Sequence, residues 1–248
     1  MLENQDDRSV KQHLKAENRY TSRIMKITRP LQKRLFKEIV GRIQENDTTL
    51  PYKFREYWYY QRFEAGSNYE IYYRKKEAPD APEELVFDVN KLARSYDYYT
   101  IEQFEISPNN QFAAYLVDTQ GDGRTALNFR DLDTRASLEY QIPAVSMAAW
   151  GGDDLTVVYA VVDSTDRSFQ VWQHQMGNLP ENDTLLFEEK DPAFSVAVYK
   201  DKSEKYIFLE SSSSTTSEIY YVHVDSLEYG FRLFRPREKK SSLLPGLL

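Results

Sequence analysis

Cysteine is absent from this 248-residue chain, which excludes disulfides, thiolate metal sites and a cysteine nucleophile and is compatible with a reducing compartment. Histidine is nearly as scarce. His13, His174 and His223 stand far apart and match no metal-ligand spacing. No run approaches the roughly 20 apolar residues of a membrane helix, and the start MLENQDDRSVKQ lacks the apolar stretch of a secretion signal. The expected location is therefore cytoplasmic, and the sequons at Asn46 and Asn182 carry no meaning without secretion. Also missing are a G-x-S-x-G elbow, S-x-x-K, H-E-x-x-H and a P-loop.

What is present is aromatic and acidic. Tyrosine occurs 19 times and phenylalanine 13 times, and 41% of residues are hydrophobic, enough for a sizeable core. Residues 1–62 carry 14 Lys/Arg against 8 Asp/Glu, whereas residues 63–248 carry 18 against 31. The net charge of -7 thus divides into +6 and -13. An acidic body disfavours nucleic acid and anionic membrane; it suits either plain solubility or attraction of cationic ligands.

From Val10 to Gln44 the apolar residues recur at helical spacing, with an interruption at ITRPLQ where Pro30 requires two helices to meet around Thr28–Pro30. Each helix bears one apolar stripe and must dock on something. From Pro51 the period falls to 2. YWYYQRF and YEIYYRK read as a hairpin about the break at Gly66, and further strands follow as ELVFDV, QFEIS, QFAAYLVD, TALNFRDL, AAW, LTVVYAVVD, SFQVWQH, TLLFEEK, SVAVYK, KYIFLESS and SEIYYVHV.

A repeat runs through them. Tyr115 aligns with Tyr159 at a separation of 44, and Phe208 follows Tyr159 by 49. Four short strands per 40–50 residues is the pattern of propeller blades, placed at 52–92, 100–143, 146–190 and 194–235. The expected fold class is mainly β, a partial β-propeller behind an N-terminal helical arm. The expected domains are 1–50 (helical arm), 51–240 (partial propeller) and 241–248 (disordered tail). REKKSSLLPGLL breaks off where a fifth blade would begin, so the isolated chain is expected to be aggregation-prone through its open edges.

GDGRTA, Gly121 to Ala126, fits G-x-G-x-x-A formally but opens no helix and reads as a turn. The calcium-loop match beginning at Asp118 fails because Phe129 stands where a bidentate Glu belongs. SSSSTTS, Ser211 to Ser217, reads as a hairpin loop and RPREKK, Arg235 to Lys240, as a solvated charge run. No catalytic, cofactor-binding or metal-binding residue is singled out, and no cofactor is expected.

Several long segments carry a resemblance: HLKAENRYT, LQKRLFKEIVGRIQENDTTLPYKFREYWYYQRFEAGSNYEIYYRKK, LVFDVNKLARSYDYYTIEQFEISPNNQFAAYLVDTQGDGRTALNFRDLDT, LLFEEKDPAFSVAVYKDKSEKYIFLESSSSTTSEIYYVHVD and FRLFRPRE. Together, over about residues 1–240, they resemble the N-terminal region of the prolyl oligopeptidase family, most closely the oligopeptidase B group. The resemblance implies helices leading into a seven-bladed propeller, cut here after about four blades. It also implies an α/β-hydrolase catalytic domain in cis with a Ser-Asp-His triad, and short peptides cleaved after Arg or Lys. None of the triad has a matching position in this chain, which is expected to be inactive alone. Met1 stands where the family's early Asp-Pro-Tyr-x-Trp-Leu-Glu run has its Trp. Three roles follow in order of preference: a peptide-gating fragment of a serine oligopeptidase, a stand-alone binding scaffold, and half of a split enzyme.

Overall fold

The computed structural model describes residues 6–78 and 80–238. The expected tail, 241–248, lies outside the described residues. Contacts divide the chain into two units, one reaching to Asp47 and including Phe63–Gly66, the other holding Thr48–Arg62 and everything from Ser67.

The first unit is helical. Helix α1, Arg8–Ile24, starts where the Asp7 carboxylate accepts the Ser9 N–H at 2.7 Å, satisfying one of the N–H groups that a helix start leaves unpaired. A 3-10 turn, Met25–Thr28, leads into α2, Arg29–Val40, with Pro30 in the first turn, where its missing N–H costs nothing. The expected junction at Thr28–Pro30 is where the chain changes helix. The apolar stripe is exposed at Leu14, Ile24, Leu31, Leu35 and Ile39.

The second unit consists of antiparallel sheets. The first contains β1 (Asp47–Thr48), β2 (Tyr52–Phe54), β3 (Tyr57–Phe63), β4 (Ile71–Lys76) and β5 (Glu83–Asp88), the last running into a helical turn, α3 (Val89–Leu92). The second contains β6 (Thr100–Ile106), β7 (Phe112–Asp118) and β8 (Ala126–Asp131). The third contains β9 (Val145–Trp150), β10 (Thr156–Val162), β11 (Ser168–Gln175) and β12 (Thr184–Glu188). The fourth contains β13 (Ser195–Lys200), β14 (Tyr206–Ser212), β15 (Ser217–His223) and β16 (Arg232–Arg235). One expectation is corrected here. Among the described residues the second sheet has three strands, with single bridges from Leu127 to Ile142 and from Arg130 to Ser137 where a fourth was expected, because the chain of 132–144 turns twice around Asp131 and Pro143.

The continuous apolar strands are explained by packing on both faces. In β10, Val157 and Tyr159 join the core against the second sheet, while Val158 and Ala160 join the core against the fourth. Strand β7 does the same, sending Ala113, Tyr115 and Val117 one way and Ala114 and Leu116 the other. Side chains alternate across a strand, so a sheet with neighbours on both faces needs apolar residues at every position. The opening strands β6, β9 and β13 lie side by side, which stacks the sheets about their first strands.

Candidate functional site at the first turns

Stacking about the first strands gathers the turns that follow them: Arg55–Glu56 after β2, Ser107–Gln111 after β6, Gly151–Leu155 after β9 and Asp201–Lys205 after β13. Arg55 joins three sheets from there. Its Nε donates to Glu204 Oε2 at 3.0 Å and its Nη2 to Glu204 Oε1 at 2.9 Å. Nη1 donates to the Ser107 carbonyl at 2.5 Å, with the Ile106 carbonyl at 3.5 Å, and the guanidinium lies 4.6 Å from the Phe54 ring centroid. A fork of donors facing both carboxylate oxygens is the strong form of ion pair.

Around this pair the charges balance. Glu105, on β6, has its pKa pushed up by burial, with Lys200, Arg55 and Gln103 pulling the other way. Burial pushes Lys200 down, while Glu204 favours its charged form, and its Nζ donates to the Gly151 carbonyl at 3.2 Å. Asp154 accepts the Asn109 N–H at 2.7 Å, tying the second turn to the third. Arg74 donates to the Asn110 carbonyl at 2.5 Å and to Glu84 at 2.7 Å.

A second polar group has the residue types of a catalytic relay but is closed off from solvent. The Asp183 carboxylate accepts from His174 Nδ1 at 2.7 Å and from the Tyr159 hydroxyl at 2.8 Å; Tyr140 meets His174 Nε2 at 2.9 Å and accepts the Gly177 N–H at 3.0 Å. Burial raises the pKa of both tyrosines. The His174 ring is 0% exposed and the Asp183 side chain 2%. The relay holds the third sheet together and stacks His174 on Phe129 at 5.3 Å.

The other marked residues fall as follows. His13 is exposed on α1, and His223 is half-exposed at the end of β15. Gly121 and Gly123 sit at positive φ in the β7–β8 turn, where Asp118 accepts the N–H groups of Gln120, Gly121 and Gly123. Ser213–Thr216 closes the β14–β15 hairpin. RPREKK differs from its expectation at Arg237. That side chain pairs with the buried Glu189 and with Glu218 at 2.8 Å, and lies 3.7 Å from the Phe194 ring centroid. It is a tie across the junction into the fourth sheet, not a solvated charge.

Sequence reasoning missed Arg55, Glu105, Lys200 and Glu204. A pair separated by 149 residues leaves no spacing to read. The local signal was slight: a non-glycine residue, Arg55, in the two-residue turn of an aromatic hairpin.

Four stacked antiparallel sheets of three to five strands, following an N-terminal helical segment in the sequence, define a partial β-propeller. The family described as "Prolyl oligopeptidase, N-terminal beta-propeller domain" matches residues 1–244, and the chain belongs to that family. Among individual relatives, Protease 2 of Moraxella lacunata is 34% identical over 91% of this chain and 34% of its own length. Dipeptidyl aminopeptidase BI of Pseudoxanthomonas mexicana is 31% identical over 94% of this chain and 35% of its own. The solved structure of oligopeptidase B from Leishmania major superposes with a TM-score of 0.84 at 27% identity, covering 95% of this chain and 34% of that one. The chain therefore spans about a third of the length of the relatives it matches.

Proposed function

We propose that this chain is the N-terminal propeller part of a serine-type oligopeptidase of the oligopeptidase B kind, admitting short basic peptides to an α/β-hydrolase domain carried in the same polypeptide. The observation that carries the reading is the family match over residues 1–244, with 27% identity and a TM-score of 0.84 to a solved oligopeptidase B. The first-turn site supports the basic preference, since Glu204 and the neighbouring carbonyls already hold a guanidinium. The excess of acidic residues after residue 62 would add long-range attraction, strongest at low salt.

No group in this part performs the acyl transfer. The chemistry belongs to the catalytic domain, where a serine activated by a histidine attacks the scissile carbonyl. The propeller contributes selection by size and charge. In the full polypeptide, arginine-containing peptides of increasing length are expected to be hydrolysed until a length threshold, beyond which kcat/KM collapses. Cleavage of folded proteins at the same rate as short peptides would refute gating.

A further inference from the structure

The Arg55 guanidinium occupies surroundings that suit any arginine side chain. A guanidinium offers five N–H donors in a rigid plane, and here a carboxylate takes two of them side by side, a main-chain carbonyl takes a third, and an aromatic ring faces the group. Arg55 itself is poorly suited to its own position. It stands in a two-residue turn with φ 53°, a conformation that favours glycine or asparagine. Glu204 likewise has φ 59° in its turn. The turn needs no arginine; the contact with Glu204 does.

Both partners are within reach of solvent, the Arg55 side chain being 16% exposed and that of Glu204 33%. Exchanging one guanidinium for another leaves Glu204 paired and returns Arg55 to water, so no charge is stranded at any stage. We propose that Glu204, the Ile106 and Ser107 carbonyls and the Phe54 ring form a site for an arginine side chain of a peptide, which Arg55 fills in its absence. This deepens the peptidase reading and rests on it for the identity of the ligand. Arg55 is then an internal competitor. Occupancy by Arg55 scales the apparent affinity from outside by the fraction of time the site is open.

The test uses the full polypeptide, treated with a fluorophosphonate to block the active serine, and titrates ethylguanidinium, ethylammonium and the tripeptide Gly-Arg-Gly by calorimetry; untreated polypeptide is kept for the hydrolysis measurement. Arg55→Gly deletes the side chain and relieves the left-handed turn, and its denaturant midpoint, measured beside that of the wild type, establishes that the variant is folded. The expected result is tighter binding of ethylguanidinium and of the tripeptide to Arg55→Gly than to the wild type, by about tenfold or more if the site is filled nine-tenths of the time. Adding Glu204→Gln is expected to abolish the gain, and ethylammonium is expected to show none. Equal affinities in the wild type, the single and the double variant would overturn the proposal. Binding of ethylguanidinium without binding of the tripeptide would overturn it as well. Peptide hydrolysis measured in parallel separates the two readings: Glu204-dependent tripeptide binding in a polypeptide that hydrolyses nothing would leave the site standing and remove the peptidase assignment.

Discussion

His174 and Asp183 lie 2.7 Å apart with both side chains out of water, and the Tyr159 hydroxyl closes the other side of the same carboxylate. The proton order that satisfies every partner runs from Gly177 N–H to Tyr140, from Tyr140 to His174 and from His174 to Asp183. Removing the acceptor leaves two buried donors unpaired. Asp183→Ala is expected to lower stability by about 3 kcal/mol or more, with Asp183→Asn milder, as read by the denaturant midpoint. A shift within about 0.5 kcal/mol, the range of an ordinary surface change, would contradict the network's role.

Arg237 offers a similar test at the junction into the fourth sheet. Glu189 is buried, and its pKa would rise on burial alone; Ser211, the Asp191 N–H and Arg237 together hold it down. Arg237→Met keeps a stem over Phe194 but removes the charge. The expected cost is about 2 to 4 kcal/mol, and Glu189→Gln in the same background should recover part of it. If Arg237→Met has the stability of the wild type, the pair is incidental.

Acid should expose the turn aspartates. Burial pushes the Asp118 carboxyl up, and three backbone N–H groups outweigh it, leaving the pKa below the usual carboxylate value. Asp201 is lowered in the same way by Ser203, Tyr206 and Lys205 against its own burial. A carboxylate depressed in the folded state contributes stability that is complete above its unfolded pKa and lost as pH falls through the folded one. The loss should therefore begin near about pH 4 and continue below it. Asp118→Asn should flatten that part of the urea midpoint curve between about pH 4 and 2; an unchanged slope would exclude Asp118 as a source.

The core between the third and fourth sheets contains Leu209 and Ile207, both fully buried. Leu209→Ala should cost about 2 to 5 kcal/mol and Ile207→Val about 0.5 to 1.5 kcal/mol. Thermal midpoints in that order are expected, and the reverse order would mean that the interface is not packed as described.

Most of the strands were readable because a strand packed on both faces writes an unbroken apolar run. QFAAYLVD and LTVVYAVVD contain β7 and β10 in this way, while YWYYQRF and SVAVYK, only partly buried, were read from their period of 2 and coincide with β3 and β13. The misses have physical causes. The short strands β2 and β16 carry exposed residues such as Tyr52, Leu233 and Phe234, so no apolar run marks them. The expected fourth strand of the second sheet is replaced by two bridges held by turn chemistry at Asp131. Arg237 reads as one charge among several, and only the fold reveals Glu189 beside it. The candidate site was illegible throughout, because Arg55 and Glu204 come together only when the sheets stack.

The most direct test is to probe the native polypeptide with an antibody against residues 8–40 and with a fluorophosphonate that labels active serines. The account expects one species, far larger than the 29.2 kDa of this chain, that reacts with both. An antibody-reactive species of 29.2 kDa that takes no label, with no labelled partner travelling beside it, would contradict the account.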